Sequence, residues 1–288
     1  MPADLVNRLR TCPELGLVPE SLVQIGPASC RAMASHGPVV VRLVRGADPH
    51  HGQFLSVVSR HSRDQGGLLQ HLRHTVSCGD DIVAVFDWLL GETAREAGLH
   101  RLPRFFETLA AWHRDNRCDL PVYSPYTGEE YSDIARFLDG ETSYHLRILG
   151  RPALQGRCCE LLRPIAAGFV TLLHGDVHPG NILYTADGTF RLLDPESVHM
   201  GCNFLDLDYI DWLALEPSPT PWWVIREYAH QCAAAYFGAL AIAETNIRPV
   251  MTAVALLTAL QSHTNGQRYA PETMEAVKLR VEQIVGAG

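Results

Sequence analysis

Lysine is almost missing from this chain. Lys278 is the single lysine in 288 residues, and all other permanent side-chain cations are arginines. A GC-rich genome accounts for such a bias. It also excludes any chemistry that needs a lysine ahead of the C-terminal segment. The 8 cysteines contain no CxxC pair, although Cys158 and Cys159 are adjacent. That spacing offers no zinc ribbon and no secreted disulfide framework, so the cysteines are read as reduced and mostly buried. The first residues, MPADLVNRLRTCPELG, contain no apolar run, and no secretory signal is expected. The longest small apolar stretch, Ala233 to Ala243, is stopped by Glu244, Asn246 and Arg248 and is too short to cross a bilayer. The expectation is a cytoplasmic protein with no membrane partner. Positive charge is in deficit: the net charge is -8 and the pI about 5.9. Nucleic acid is therefore a poor main partner, whereas a cationic small molecule suits the balance. There is no GxGxxG, no internal repeat and no low-complexity segment. Oligomeric state leaves no mark in the sequence.

The first third is β-rich. Leu22 to Gly26, Cys30 to Ser35, Pro38 to Val44 and Asp81 to Leu89 read as strands between glycine and proline turns. Gly52 to Thr75 carries charged and apolar residues at helical spacing, weakened by Gly66 and Gly67. Beyond residue 89 the pattern turns helical, over Leu102 to Asn116, Gly156 to Phe169, Phe204 to Leu215, Pro221 to Leu240, Ile247 to Thr264 and Pro271 to Val285. Two short apolar runs, Val170 to Leu173 and Phe190 to Leu193, interrupt it. The shift from strands to helices predicts a small sheet lobe joined to a larger helical lobe.

Residues 172–196, LLHGDVHPGNILYTADGTFRLLDPE, carry the chemistry. They read as two short buried strands linked by a turn at Asp187-Gly188, whose ends project His174, Asp176, His178, Asn181 and Asp194 toward one place. Phosphoryl transfer needs a carboxylate to meet the incoming hydroxyl. It also needs hard oxygen donors to hold magnesium against the phosphates. Asp176 and Asn181, five apart around Pro179 and Gly180, let one loop serve both needs, and Asp194 arrives from the next strand. Two rivals stand beside this reading. One is a plain turn between strands. The other is a metallohydrolase, with His174, Asp176 and His178 joined by Asp194 or His199 around zinc. His113, in LAAWHRDN, reads as a core or surface histidine, and His71, His74 and the His50-His51 pair have no zinc-like spacing.

HGDVHPGN followed closely by LLDPE resembles the catalytic loop and metal motif of the aminoglycoside phosphotransferase and choline kinase superfamily, relatives of the protein kinases. Gly201 to Leu207 (GCNFLDL) is similar to that family's glycine-to-Asp-Leu element, and FDWLLGET to the segment after its hinge. The resemblance implies an α+β, two-lobed protein-kinase-like fold. Residues 1–89 would form a nucleotide-binding lobe with a small antiparallel β-sheet, ending in the hinge. Residues 90–288 would form a larger helical lobe with the catalytic loop, metal motif and substrate pocket. It implies ATP and Mg2+ as cofactors, Asp176 as the base or hydroxyl-orienting group, and Asn181 and Asp194 as magnesium ligands. His174 would brace the loop, Asp206 would hold its backbone, and Glu196 would touch a second metal or a helix end.

The family's third-strand lysine cannot exist here. Arg42 in VVVRLV is the first candidate to replace it and Arg45 the second. The helix glutamate that normally pairs with that lysine is also missing, with Gln65 and Asp64 near its place. Gly26 and Ser29, in IGPASCR, offer donors to phosphate in place of a glycine-rich loop. Ala84 to Trp88 would be the adenine-contacting hinge, with Phe86 and Trp88 in it. Asp139, Glu141, Asp208, Asp211 and Glu216 would suit a cationic acceptor, and Tyr123 to Tyr126 with Thr142 to Leu146 are candidate pocket walls. The resemblance points to an antibiotic, an aminoglycoside or a cationic cyclic peptide such as capreomycin or viomycin, phosphorylated for resistance or self-protection. Choline, homoserine, sugar and nucleoside-antibiotic kinases, and a pseudokinase-like binding module, are the alternatives.

Overall fold

The structure, a computed structural model, describes residues 2–10, 12–25, 28–44, 67–78, 81–208, 210, 222–262 and 271–287. Gly26, Arg45, Asp64, Gln65, Asp211 and Glu216 lie outside that set, as does the side chain of Glu196. In chain order the strands are β1 (Val23–Gln24), β2 (Ser29–Ala34), β3 (Gly37–Val44), β4 (Leu72–Cys78), β5 (Asp81–Asp87), β6 (Gly91–Thr93), β7 (Val122–Tyr123), β8 (Glu130–Tyr131), β9 (Val170–Leu173), β10 (Ile182–Thr185), β11 (Phe190–Leu192) and β12 (His199–Cys202). The helices are α1 (Pro2–Arg10), α2 (Ala94–Ala97), α3 (Leu102–Asp115), α4 (Ile134–Leu149), α5 (Gln155–Leu162), α6 (Trp222–Ala239), α7 (Ile247–Gln261) and α8 (Pro271–Ala287). The chain divides into two compact units. Met1–Thr93 with Asn181–Val198 is the first, and Ala94–Gly180 with His199–Gly288 the second.

In the first unit, an antiparallel sheet runs β1-β2-β3-β5-β4. The three valines of β3 favour strand, because branched side chains pack well on a pleat. Val39 and Val41 are fully buried with Cys30, Ala32, Val83 and Val85, against Leu5 and Leu9 of α1. Strand alternation sends Arg42 to the other face, opposite Ser29 on β2 and Ala84 on β5. The helix predicted over Gly52 to Thr75 falls mostly outside the described residues, but its last part is wrong. Leu72 to Thr75 belong to β4, paired with β5 across a bulge at Leu72/His74. Leu72 is buried and His74 exposed, so edge-strand pairing has overridden the helical spacing.

A second small sheet runs β11-β10-β6. Gly91 lies opposite Thr185, and a Cβ at Gly91 would come within 2.2 Å of the Tyr184 carbonyl oxygen, so only glycine permits this approach. β11 is also clamped from the other side. Gln70 N–H donates to Leu192 O at 2.8 Å, and Leu192 N–H donates to Leu68 O at 2.7 Å. The Asp187-Gly188 turn thus joins β11 to β10, and β10 is the strand that the apolar-run reading passed over. β9 pairs instead with β12 in the second unit.

The second unit is helical. α3 packs along α6, and α7 lies against α4, α5 and α8. Within the predicted Gly156 to Phe169 helix, α5 gives way to a 3-10 turn at Arg163, where Pro164 removes a backbone donor. The predicted helix from Phe204 opens with a 3-10 turn, Leu205–Leu207, with Asp206 turned inward, and its other described residues, Asp208 and Ile210, are helical. Among the described residues, no helix is long and apolar enough to cross a membrane, and the cysteines described there are thiols outside any disulfide.

Candidate active site

In the first unit, β10 and β11 bring Asn181 and Asp194 side by side. Ile182 pairs with Leu192, and Leu193 N–H donates to the Asn181 carbonyl at 2.8 Å. Asp194 follows in the left-handed region, at φ 60 and ψ 59. A non-glycine residue held there marks a position fixed by its surroundings. Its carboxylate meets the Arg42 guanidinium in an ion pair, with Arg42 largely covered. Arg42 is thus aimed at the residue expected to carry the metal. Two oxygen donors, one amide and one carboxylate, fit magnesium, which keeps waters and takes phosphate oxygens for its other positions. Among the described residues, no three His, Cys, Asp or Glu side chains gather as a metal-holding group, so the histidine-based zinc set is not assembled.

Ser29 is buried opposite Arg42. Phe86 is buried within β5, paired with Val40 on one side and Leu72 on the other. The chain leaves the sheet at Trp88, whose ring lies under the Arg31 guanidinium at 5.3 Å. The end of β5 is anchored, because the Asp87 carbonyl accepts from Gln70 Nε2 at 2.7 Å and its carboxylate meets Arg73 and His71.

In the second unit, β9 ends at Leu173, and His174 and Gly175 turn the chain toward Asp176. Gly175 has φ +75, which suits glycine. The turn is tied to Asp206, a carboxylate with no solvent exposure. Asp206 Oδ1 accepts from Gly175 N–H at 2.7 Å, and Oδ2 accepts from His174 N–H at 2.8 Å and from His113 Nε2 at 3.0 Å. Burial pushes the Asp206 carboxyl up, but its hydrogen bond with His113 and the charges of His113 and His174 hold it below its ordinary value. The network continues from His113 Nδ1 to the Tyr236 hydroxyl at 2.7 Å, and from there to Asn203. His113 is therefore a core histidine, and its tie to the loop was not visible in sequence. His174 is itself fully buried. Asp176 is half exposed, with His178 Nε2 3.7 Å from its carboxylate. Arg95 N–H holds the Pro179 carbonyl at 3.1 Å.

Beside this loop lies a pocket of about 500 Å³, counted out to its solvent mouth. Gly175, Tyr126, Phe137, Asp208, Leu257 and Gln261 are among its walls. Burial, then the charges of Asp208, Glu141 and Asp176, push the Tyr126 phenol above its ordinary value. Asp208 stands in the pocket, and so do Pro125 and Tyr126. Asp139 does not: it is exposed on the other side of α4, near Cys159. Thr142 is buried and donates to Leu138 O at 2.6 Å.

The profile described as "Phosphotransferase enzyme family" matches residues 28–241. That span covers both half-sites and most of the chain. The chain belongs to this family, and it is a phosphotransferase. No curated protein matches it in sequence. Among solved structures, a thermostable mutant of aminoglycoside phosphotransferase APH(4)-Ia, in ternary complex with ADP and hygromycin B, is 16% identical with TM-score 0.62 and covers 94% of each chain. Choline kinase LicA from Streptococcus pneumoniae is 12% identical with TM-score 0.63 over 100% of both chains. A putative fructosamine-3-kinase from Haemophilus somnus is 12% identical, with TM-score 0.59 over 91% of this chain and 90% of that one. At these identities the likeness establishes the fold, that of the protein-kinase-like phosphotransferases, a mixture of helices and strands with a small antiparallel sheet.

Proposed function

We propose that this phosphotransferase acts in the cytoplasm, uses ATP with magnesium, and phosphorylates a hydroxyl of a small cationic molecule. The acceptor class is an antibiotic, an aminoglycoside or a cationic cyclic peptide, and the reaction protects the cell that carries it. The observation that carries this reading is the pocket at Gly175, one residue from Asp176, with the Asp208 carboxylate in its wall.

The first unit handles the nucleotide. Arg42 takes the place of the missing lysine and grips phosphate with its planar fork. Asn181 and Asp194 would hold magnesium, which when bound supplies charge neutralisation at the phosphate oxygens. The second unit receives the acceptor. Asp176 orients the acceptor hydroxyl and takes its proton as the hydroxyl oxygen bonds to the γ-phosphorus and the bond to the ADP oxygen breaks. Asp206 and His174 keep the loop in shape. The Arg42–Asp194 ion pair also suits a nucleotide-binding module without turnover, a second reading that the same experiment separates.

The test is a phosphorylation screen with labelled ATP against aminoglycosides, capreomycin, viomycin, choline, homoserine, neutral sugars and nucleosides. Label should pass to cationic hydroxyl compounds and stop when magnesium is chelated. Transfer to neutral acceptors alone would refute the acceptor class. Nucleotide binding without transfer or hydrolysis would establish the second reading instead.

A further inference from the structure

Glu141 is a charged residue with no solvent exposure, and nothing in the phosphoryl-transfer chemistry uses it. It sits mid-way along α4, on the face that carries Phe137, Leu138 and Leu149 into the core. Burying a carboxylate costs several kcal/mol, and well-packed apolar residues are often as stabilising as a buried ion pair. Stability alone therefore does not account for it.

Its contacts do. One oxygen takes the Ser124 hydroxyl, and the other takes His145 Nε2 at 2.9 Å and Gln261 Nε2 at 3.1 Å. Ser124 in turn uses its oxygen to accept the backbone N–H groups of Tyr126 at 3.2 Å and Thr127 at 3.0 Å. The His145 ring meets the Tyr126 ring edge-on at 5.1 Å. Tyr126 and Gln261 are walls of the pocket, on a turn and at the end of α7. One buried carboxylate thus fixes two walls that lie far apart in sequence.

We infer that Glu141 is a positioning residue for acceptor recognition. Through Ser124 it sets the turn that presents Tyr126, and through Gln261 it ties the end of α7, which also lines the pocket. It also adds negative charge beneath a pocket already lined by Asp208. The pocket is thereby matched to a cationic acceptor by shape and by charge together. This inference rests on the acceptor reading above for its substrate class, but not for its geometry.

Two measurements on Glu141→Gln, which keeps the size and removes the charge, test the two parts separately. The first needs no acceptor: hydrogen exchange of the Tyr126 and Thr127 amides. Both should exchange faster in the variant, while the amides of β9 and β12 keep their protection. Unchanged exchange at residues 126–127 overturns the positioning role whatever the substrate. The second is steady-state kinetics with each hydroxylated amine that the wild type phosphorylates in the screen. The KM for the acceptor should rise about tenfold or more, with the KM for ATP within about twofold, as expected when a charge-assisted hydrogen bond shapes one site only. Parallel changes in both KM values, or a fall in kcat alone, overturn the recognition role. If Glu141→Gln does not fold, Gln261→Leu removes the bond to Glu141 from a partly exposed position and should raise the acceptor KM in the same selective way. If the wild type phosphorylates no amine, the acceptor reading fails, while the exchange result still decides the positioning.

Discussion

Replacing Asp206 by Asn keeps the side-chain shape and removes what the site needs, an acceptor on both oxygens. In the native protein, three donors converge on Asp206: Gly175 N–H, His174 N–H and the His113 ring. An asparagine can satisfy Gly175 with its oxygen, but then its NH2 group faces the donors of His174 and His113. A buried donor left without an acceptor costs about 1–3 kcal/mol. Two such donors, offset by some relaxation, place the loss at roughly 2–4 kcal/mol, and Asp206→Ala, which strands all three, at roughly 3–5 kcal/mol. For a chain of this size each kcal/mol lowers Tm by about 2–4 °C. Asp206→Asn should therefore melt roughly 4–16 °C lower, with Asp206→Ala lower still. The pH arm has a definite sign. The folded carboxyl is held below its ordinary value, so its stabilisation is present above the unfolded value near ~3.9 and fades as pH falls through the folded value. Wild type should lose more stability than Asp206→Asn on acidification below about pH 4. Urea unfolding read by fluorescence at several pH values measures both. A variant that melts within about 1 °C of wild type, with the same acid profile, would show that these bonds do not hold the loop.

Asp176→Asn should lower turnover by ~10²–10⁴ and leave Tm unchanged, since the Asp176 side chain is half exposed; near-normal turnover in a folded variant removes the base assignment. Asp194→Ala should abolish magnesium-dependent nucleotide binding in calorimetry, and retention of that binding would move the metal elsewhere. Arg42→Ala should raise the KM for ATP by about tenfold or more with little change for the acceptor, and Arg42→Lys should restore part of the loss; unchanged ATP kinetics in both would leave the phosphates to other groups.

Legibility followed how local each signal was. Strands β3 and β5 were readable because valine runs bounded by turn residues act within a few positions. The loop from His174 to Asn181 and the strand to Asp194 were readable because side chains of the right chemistry lie close in sequence. Strand β4 was not, since its alternation is broken by a bulge and its pairing is with residues that follow it. Pairing failed in the same way for Val170–Leu173 and Phe190–Leu192. Apolar runs show that a segment is buried, while the partner, β12 for one and β10 for the other, is set by the whole sheet.

Helix α4 shows a different obstacle. Its buried positions are Ile134, Phe137, Leu138, Glu141, Thr142, His145, Leu146 and Leu149, a full helical stripe at i, i+3, i+4 spacing. Three consecutive members of that stripe are polar, so a search for apolar periodicity loses it in the middle. Asp133 accepting from Arg136 N–H at 2.9 Å and Gly150 in the left-handed region would have marked the ends. With the ends fixed by caps, polar residues inside the stripe become informative. They must find partners in the core, and those partners come from far away: Ser124 is 17 residues from Glu141 and Gln261 is 120. A helix that keeps glutamate and histidine one turn apart on its buried face forgoes apolar packing there. The groups that Glu141 and His145 engage here, Ser124, Gln261 and the Tyr126 ring, all lead to one pocket. In this chain the interruption of the pattern, more than the pattern itself, points to that pocket.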